Sequence, residues 1–187
     1  MTQFVSFSLM NLSKEMSAIV YFFVIYSFFG WVLENGYSFF TRKEFFKPNF
    51  ILGPFKPMYG IAPLLLVSLI PADSHWALLI FLCFLVPTTV EYVTGFWLER
   101  TFRKKWWDYS NHALQVHGHI CFSFSICWIF LSYLCVKFIH PSIELVYMTI
   151  ESFWLVIWPA VVIYFVIELF LAWKRHNPQE QSIRTQG

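Results

Sequence analysis

Charged residues are scarce in this sequence. Asp, Glu, Lys and Arg make up only 13% of the 187 residues, about half of the roughly 25% that a typical soluble domain carries. So few charged side chains cannot cover a globule in water, which excludes a cytosolic enzyme. The high hydrophobic content also excludes an intrinsically disordered chain. The composition therefore indicates an integral membrane protein.

Cysteine is scarce as well, and its spacing is unpaired. Cys83, Cys121, Cys127 and Cys135 all lie in apolar segments, so we interpret them as small buried thiols rather than as a disulfide framework. The net charge is only +2, and the basic residues form short clusters beside apolar runs instead of one broad face. No nucleic-acid partner is therefore expected.

Long apolar runs, by contrast, are abundant. A hydrocarbon core of about 30 Å is crossed by about 20 helical residues, and five runs approach or exceed that length. We predict an all-α fold, a polytopic helical membrane protein with about five transmembrane helices in a single transmembrane domain covering residues 1–187. The predicted spans are residues 16–40, 51–70, 76–98, 120–139 and 147–173, followed by a cytoplasmic tail at residues 174–187.

The second predicted span differs from the others. Residues 51–70 contain Pro54, Pro57 and Pro63 together with two glycines, so a helix there is expected to be broken. If this segment crosses the bilayer, eleven of the thirteen Lys and Arg residues lie on one side. The positive-inside rule makes that side cytoplasmic. We therefore predict a multi-pass protein of the cell membrane with its N-terminus outside and its C-terminus in the cytoplasm.

Two of the predicted helix pairs share an order of features. Arg42 follows Glu34 by eight residues, and Arg100 follows Glu91 by nine; an aromatic pair, an asparagine and a glycine come next in both. This order is typical of a parallel two-helix repeat related by an axis along the membrane normal. The alternative is that two cytoplasmic turns independently collect basic and aromatic residues at headgroup level.

Three glutamates lie at one predicted depth, toward the cytoplasmic face of three different helices. An ionisable side chain in a span costs at least about 2.5–3.5 kcal/mol at mid-membrane, so each one calls for a partner or a function. Glu34 and Glu91 are interpreted as part of a site, open to the cytoplasm, for a cation, a proton or an amine-bearing solute. Glu168 is interpreted as a structural acid beside Lys174 and Arg175. The alternative for all three is that they only pair with basic residues and hold the helices in register.

The candidate site contains residues near these acids. The predicted substrate-binding residues are Glu34, Glu91, Trp31, Tyr59 and Asp108, and the predicted charge partners are Arg42, Arg100 and Arg103.

Asp108 belongs to the loop segment Trp106–Ser110, which is either an interfacial anchor or a roof over the acids. In the second case Asp108 pairs with Arg100 or Arg103. His112, His117, His119 and Cys121 follow in sequence, but their spacing matches no strong zinc signature, so no metal or other cofactor is expected.

Five strings carry a family resemblance. They are Tyr26–Glu34, Gly53–Gly60, Glu91–Gly95, Trp106–Ser110 and Gly118–Cys121, reading YSFFGWVLE, GPFKPMYG, EYVTG, WWDYS and GHIC. In this order they resemble the ABC-transporter type IV family of small bacterial integral membrane proteins. The resemblance implies a permease. Because the sequence has no G-x-x-x-x-G-K-[ST] string, ABC-type transport would require a separate ATPase docked on the basic loops, with Thr101–Trp107 as the candidate coupling helix.

Three functions are compatible with these residues. The first is a permease-like transporter component, not itself an enzyme, completed by a homo-oligomer or a separate ATPase subunit in the lipid bilayer. The second is a membrane structural, regulatory or assembly protein. The third is an intramembrane enzyme acting on lipid-linked substrates with the acids as general acid or base; no nucleophile–base pair or metal motif in the sequence supports it.

Overall fold

The computed structural model describes residues 2–71 and 73–177, with side chains described from residue 11 onward. The chain is almost entirely helical, and the helical class predicted from the sequence is confirmed. The helices are α1 Thr2–Arg42, α2 Pro57–Leu69, α3 Trp76–Phe102, α4 Phe122–Leu134 and α5 His140–His176. A π-helical turn, Cys135–Ile139, joins α4 to α5, and two short strands, β1 Gln115–Val116 and β2 Ile120–Cys121, form an antiparallel ribbon before α4.

Within the described residues, three helical segments are long and apolar enough to cross a membrane. They are Asn11–Arg42, Trp76–Phe102 and Phe122–His176. The sequence predicts five spans, and the difference has two causes. Residues 51–56 are not helical, so α2 keeps only 13 residues, a length of about 20 Å. The π-helical turn also joins the fourth and fifth predicted spans into one helical segment of 55 residues.

This 55-residue segment is bent back on itself. Its start is tied to the preceding loop by the Phe122 N–H, which donates to the Leu114 carbonyl at 3.2 Å, and Trp107 donates to the carbonyl of nearby His119 at 2.8 Å. At its end, the His176 ring packs on Trp106 at 5.1 Å. A straight helix would separate these ends by about 82 Å, so the two ends can meet adjacent tryptophans only if the segment reverses.

Contacts with α1 locate the reversal. The Tyr26 hydroxyl lies 2.6 Å from His140 Nδ1. Further along, Tyr21 packs on both Tyr147 and Trp154, at 5.0 and 5.3 Å between ring centroids. Beyond that point the order inverts, because Phe23 packs on Phe165 at 5.3 Å. The segment therefore runs along α1 toward its N-terminal half, turns near residues 147–154 and returns.

The first two helices approach closely because glycine lies at the contact. A Cβ atom at Gly30 would overlap the side chain of Tyr59, and one at Gly60 would overlap Ser27 and Phe23. The Lys56 N–H also donates to the Ser27 carbonyl at 2.9 Å. This close approach brings the start of α2 beside the middle of α1.

Two helices end in the same way. Lys43 follows α1 and Arg103 follows α3, both in the left-handed conformation at φ of 61° and 56°, and the N–H of each donates to a carbonyl four residues earlier. A left-handed residue turns the chain out of a helix. The shared ending agrees with the predicted repeat, although the duplication itself stays a prediction.

The structure differs from the sequence predictions at two individual segments and covers a third only in part. The predicted coupling helix Thr101–Trp107 is corrected: Thr101 and Phe102 complete α3, and residues 103–107 are not helical. Cys127 is exposed rather than buried, while the other three cysteines are buried. The predicted tail at residues 174–187 is helical to His176, and its residues 178–187 lie outside the described residues.

Candidate functional site

Glu34 on α1 lies between two lysines. Its Oε1 accepts a hydrogen bond from Lys47 Nζ at 2.7 Å, and its Oε2 lies 2.8 Å from Lys56 Nζ. The loop after α1 folds back to deliver these cations, since the Lys47 N–H donates to Asn35 Oδ1 at 3.0 Å. The Glu34 side chain is only 19% exposed. Its charge is therefore compensated twice, and the three-residue group carries a net charge of +1.

The expected charge partners of the acids are corrected. In the described part of the chain, Arg42, Arg100 and Arg103 make no ion pair with Glu34, Glu91 or Asp108. Eight residues of helix separate Arg42 from Glu34 and nine separate Arg100 from Glu91, about 12 and 13.5 Å, and Arg103 follows the end of α3. The loop lysines reach Glu34 instead because the chain reverses after α1.

Glu91 on α3 has no such cation. Its Oε1 accepts a hydrogen bond from the Tyr109 hydroxyl at 3.0 Å, and its Oε2 accepts one from Trp128 Nε1 at 2.7 Å. Glu91 is 2% exposed, and among the described residues no cationic group lies within 4 Å of its carboxylate. Both donors are neutral, so they solvate the carboxylate without balancing its charge.

The loop after α3 carries Tyr109 back to Glu91. The Tyr109 N–H donates to the Gly118 carbonyl at 2.8 Å, and Asp108 Oδ1 accepts from the Ser110 N–H and hydroxyl at 3.0 and 2.6 Å. These bonds lower the pKa of Asp108 below its usual value, with a smaller contribution from Lys105. Asp108 therefore shapes the turn that presents Tyr109. It pairs with Lys105 at 3.5 Å, not with Arg100 or Arg103.

The base of this loop is held by His119. The side chain is almost fully buried, its Nε2 lies 3.1 Å from Glu99 Oε2, and its backbone carbonyl accepts from Trp107 Nε1 at 2.8 Å. Burial lowers the pKa of His119, outweighing the opposite effect of Glu99. The His119 ring therefore stays uncharged at neutral pH, with its Nε2 beside the Glu99 carboxylate. His112 packs on Tyr109. Tyr92 contacts both His117 and His119, with its hydroxyl 2.9 Å from His117 Nδ1 and its ring 5.7 Å from the His119 ring.

Glu168 on α5 binds backbone rather than a cation. Its Oε2 accepts from the N–H groups of Leu52 and Gly53 at 2.8 and 3.2 Å, and its Oε1 accepts from the Tyr164 hydroxyl at 3.0 Å. The sequence places Lys174 and Arg175 nearby. The described contacts show Glu168 holding the non-helical segment before α2, and its structural role stays a prediction.

Two cavities flank the acids. The first, which we call the lysine cavity, has a volume of about 280 Å³ and is lined by Glu34, Lys56 and the tryptophans Trp97, Trp106 and Trp107. The second, the glutamate cavity, has a volume of about 510 Å³ and lies between α1, α2, α3 and α4 with Glu91 in its wall. Met58 lines both, so a single flexible side chain stands at their boundary.

Of the remaining predicted site residues, Tyr59 lines a cavity and Trp31 does not. Tyr59 lines the glutamate cavity and packs on Trp128 at 5.3 Å between ring centroids. Trp31 lies apart, packed on Phe28 and Phe45 at 6.3 and 6.0 Å, and it lines neither cavity.

Four residues of the site were not predicted as site residues from the sequence: Lys47, Lys56, Tyr109 and Trp128. Lys56 and Tyr109 lie within the strings that carry the family resemblance, and this position could have indicated them. Trp128 is one aromatic in an apolar run, and nothing in the sequence links it to Glu91.

The described chain has three apolar helices of membrane-spanning length and buried carboxylates beside apolar cavities, which are features of an integral membrane protein. It matches the sequence profile of the family described as "Putative ABC-transporter type IV" over residues 21–173. The chain belongs to this family, and the resemblance found in its sequence is confirmed. No curated protein and no solved structure matches the chain.

Proposed function

We propose that this chain is the membrane-embedded component of a transport system, with the glutamate cavity as its solute site. One observation supports the proposal: among the residues that the structure describes, Glu91 is the one of the three glutamates with neither a cation nor a backbone N–H group bound to its carboxylate. Glu34 has two lysines, and Glu168 has the N–H groups of Leu52 and Gly53.

A buried charge that no opposite charge compensates destabilises a protein, and the Glu91 carboxylate is such a charge among the described residues. Removing a carboxylate from water costs several kcal/mol unless an opposite charge compensates it. Glu91 is held in place by Tyr109 and Trp128, yet its charge stays available for a cationic solute or a proton. A purely structural acid would gain stability from a lysine at this position, as Glu34 does.

The proposed membrane topology is five crossings, with the N-terminus outside and the C-terminus in the cytoplasm. The bent 55-residue segment supports two crossings, because 55 residues amount to about 82 Å of helix and each crossing uses about 30 Å. Helix α2 with the irregular residues 51–56 supplies the short second crossing. This arrangement places both loop-bearing helix ends, after Arg42 and after Phe102, on the cytoplasmic side with most basic residues.

The transport proposal also implies a partner. Five crossings are few for a complete transporter, so we expect a second copy or a separate ATPase subunit. Arg42, Lys43, Arg100, Arg103 and Lys104 are all exposed where α1 and α3 end, and this basic surface supports docking of a cytoplasmic subunit.

The experiment replaces Glu91 by Gln, which keeps size and hydrogen-bonding capacity but removes the charge. Cells deleted for the gene are first compared with the parent for flux of a solute panel, and the affected flux is then measured in variant cells. We expect Glu91→Gln to stay abundant in the membrane and to lose the flux, while Glu151→Gln, which removes an acid that lines neither cavity, keeps it. A deletion without any effect on flux contradicts the proposal.

A structural or assembly role is the second candidate, and Glu34 and Glu168 favour it because each of them holds a returning segment in place. It predicts that Glu91→Gln is lost from the membrane rather than inactive. The abundance measurement therefore distinguishes the two functions in the same cells.

A further inference from the structure

We propose that the glutamate cavity binds a lipophilic organic cation, a class of solute with one positive charge on an apolar or aromatic body. This inference rests on the proposed function and deepens it by naming the substrate class. It depends on three properties of the cavity: its size, its walls and its single charge.

The size of the cavity indicates an organic molecule. A volume of about 510 Å³ falls within the roughly 300–1,000 Å³ typical of sites for small organic ligands. A proton or a bare metal ion needs no such space. A metal ion would also require several oxygen, nitrogen or sulfur ligands, and the described residues contain no group of three such side chains placed to hold one.

The walls are apolar and partly aromatic. Met58, Ala62, Pro63, Pro87, Val90 and Leu131 supply the aliphatic surface. The rings of Tyr59 and Trp128 add aromatic surface and meet edge to face at 5.3 Å. Aromatic faces attract cations, most strongly where water is excluded. These walls therefore favour a solute whose charge lies on an apolar body.

The charge of the cavity selects the sign of the solute. Of the described residues that line the cavity, Glu91 alone is charged, and its two hydrogen-bond donors are neutral. An anion would be repelled by this carboxylate. A neutral solute would leave the carboxylate buried without compensation, whereas a cation compensates it and replaces its own lost hydration through the carboxylate and the rings.

The test measures binding of tetraphenylphosphonium to the purified full-length chain in detergent and in lipid nanodiscs. Tetraphenylborate serves as the matched probe, because it has nearly the same shape and the opposite charge. We expect saturable binding of tetraphenylphosphonium, one per chain, with at least about tenfold weaker binding in Glu91→Gln, and no saturable binding of tetraphenylborate. Equal binding of both probes would show hydrophobic partitioning and overturn the inference.

Two further variants keep the test decisive. Glu151→Gln removes a partly exposed carboxylate of α5 that lines neither cavity and should bind as the parent does. Ala62→Phe fills the cavity while leaving every charge in place and should abolish binding, so the test does not depend on folding of Glu91→Gln alone. Unchanged binding in Ala62→Phe, or in folded Glu91→Gln, overturns the inference.

The outcome is separable from that of the proposed function. If Glu91→Gln loses the physiological flux but the parent does not bind tetraphenylphosphonium, the transport proposal stands and the lipophilic-cation class is wrong. If tetraphenylphosphonium binds through Glu91 but the flux is unchanged in Glu91→Gln, the cavity is a binding site and the transport proposal is wrong.

Discussion

At the scale of single residues, three glutamates of the same chemistry have three different environments. Glu34 has two lysines, Glu168 has backbone N–H groups, and Glu91 has only neutral donors. The sequence identifies all three, because an acid in an apolar run is conspicuous. It does not identify their partners, since Lys47, Lys56 and Trp128 reach them only through tertiary folding.

A glycine substitution tests the close approach of α1 and α2. Gly30→Ala should destabilise the protein by about 1–3 kcal/mol, the usual range for overpacking, because the new Cβ overlaps Tyr59. Gly36 lies on the same helix with nothing within 4 Å of its added Cβ, so Gly36→Ala should be neutral or slightly stabilising. The measurement is the thermal or denaturant midpoint in matched detergent. Equal effects of the two substitutions would contradict the described contact.

At the scale of elements, two loops fold back onto the helices that precede them. Residues 43–56 are held by Asn35, Glu34 and Glu168, and residues 103–121 by Glu91, Glu99 and the β1–β2 ribbon. Apolar length predicts α1 and α3 well. It gives no information on the loops, because their positions depend on single polar contacts between residues distant in sequence.

A substitution at Glu168 tests the hydrogen bonds by which α5 holds the loop of residues 43–56. In Glu168→Gln the N–H groups of Leu52 and Gly53 lose a charged acceptor, and a charge-assisted bond is roughly twice as strong as a neutral one. Hydrogen exchange, followed by mass spectrometry, should therefore accelerate about tenfold in residues 50–56 and little elsewhere. Glu151→Gln, which removes an exposed acid on the same helix, is the control and should leave this segment unchanged. Unaltered exchange in Glu168→Gln would show that these bonds do not hold the loop.

The loop of residues 103–121 should lose stability as the pH falls. The pKa of His119 is lowered from its ordinary 6.5 by burial, and that of Asp108 from its ordinary 3.8 by bonds from Ser110. A lowered folded-state pKa gives stability that is present above the ordinary value and lost as pH falls through the folded value. Loop exchange, corrected for intrinsic rates, should thus increase below about pH 6.5 as His119 titrates, and again below about pH 3.8 for Asp108.

His119→Gln is the matched variant for the first step. Glutamine can still donate to Glu99 but does not titrate in this range, so the increase below about pH 6.5 should disappear. An increase of the same size in His119→Gln would assign the effect to another group.

At the scale of the whole molecule, the long helical segment is the least predictable feature. The sequence favours two spans at residues 120–139 and 147–173, and the structure gives a continuous helix that bends back between α1 contacts. Local sequence sets helix formation, and the π-helical turn keeps the helix unbroken at residues 135–139. Packing against α1, which involves residues over a hundred positions apart, sets the direction.

Single-cysteine labelling tests the proposed five crossings. In a cysteine-free background, Asp73→Cys and Thr149→Cys should react with a membrane-impermeant thiol reagent added outside intact cells. Lys104→Cys should react only after permeabilisation. All three positions are exposed in the described chain, so failure to react reports the membrane and not burial. Labelling of Asp73→Cys and Lys104→Cys from the same side would contradict a crossing by α3.

Among the described residues, neither a cation nor a backbone N–H group binds the Glu91 carboxylate, which distinguishes Glu91 from Glu34 and Glu168. This difference can be measured by reaction with a hydrophobic carbodiimide, which enters the bilayer and modifies protonated carboxyl groups, followed by mass spectrometry of the modified residue. We predict that the carbodiimide modifies Glu91, that tetraphenylphosphonium protects Glu91 from it, and that Glu34 and Glu168 react little. Preferential modification of Glu34 or Glu168, or an unreactive Glu91, would contradict this prediction.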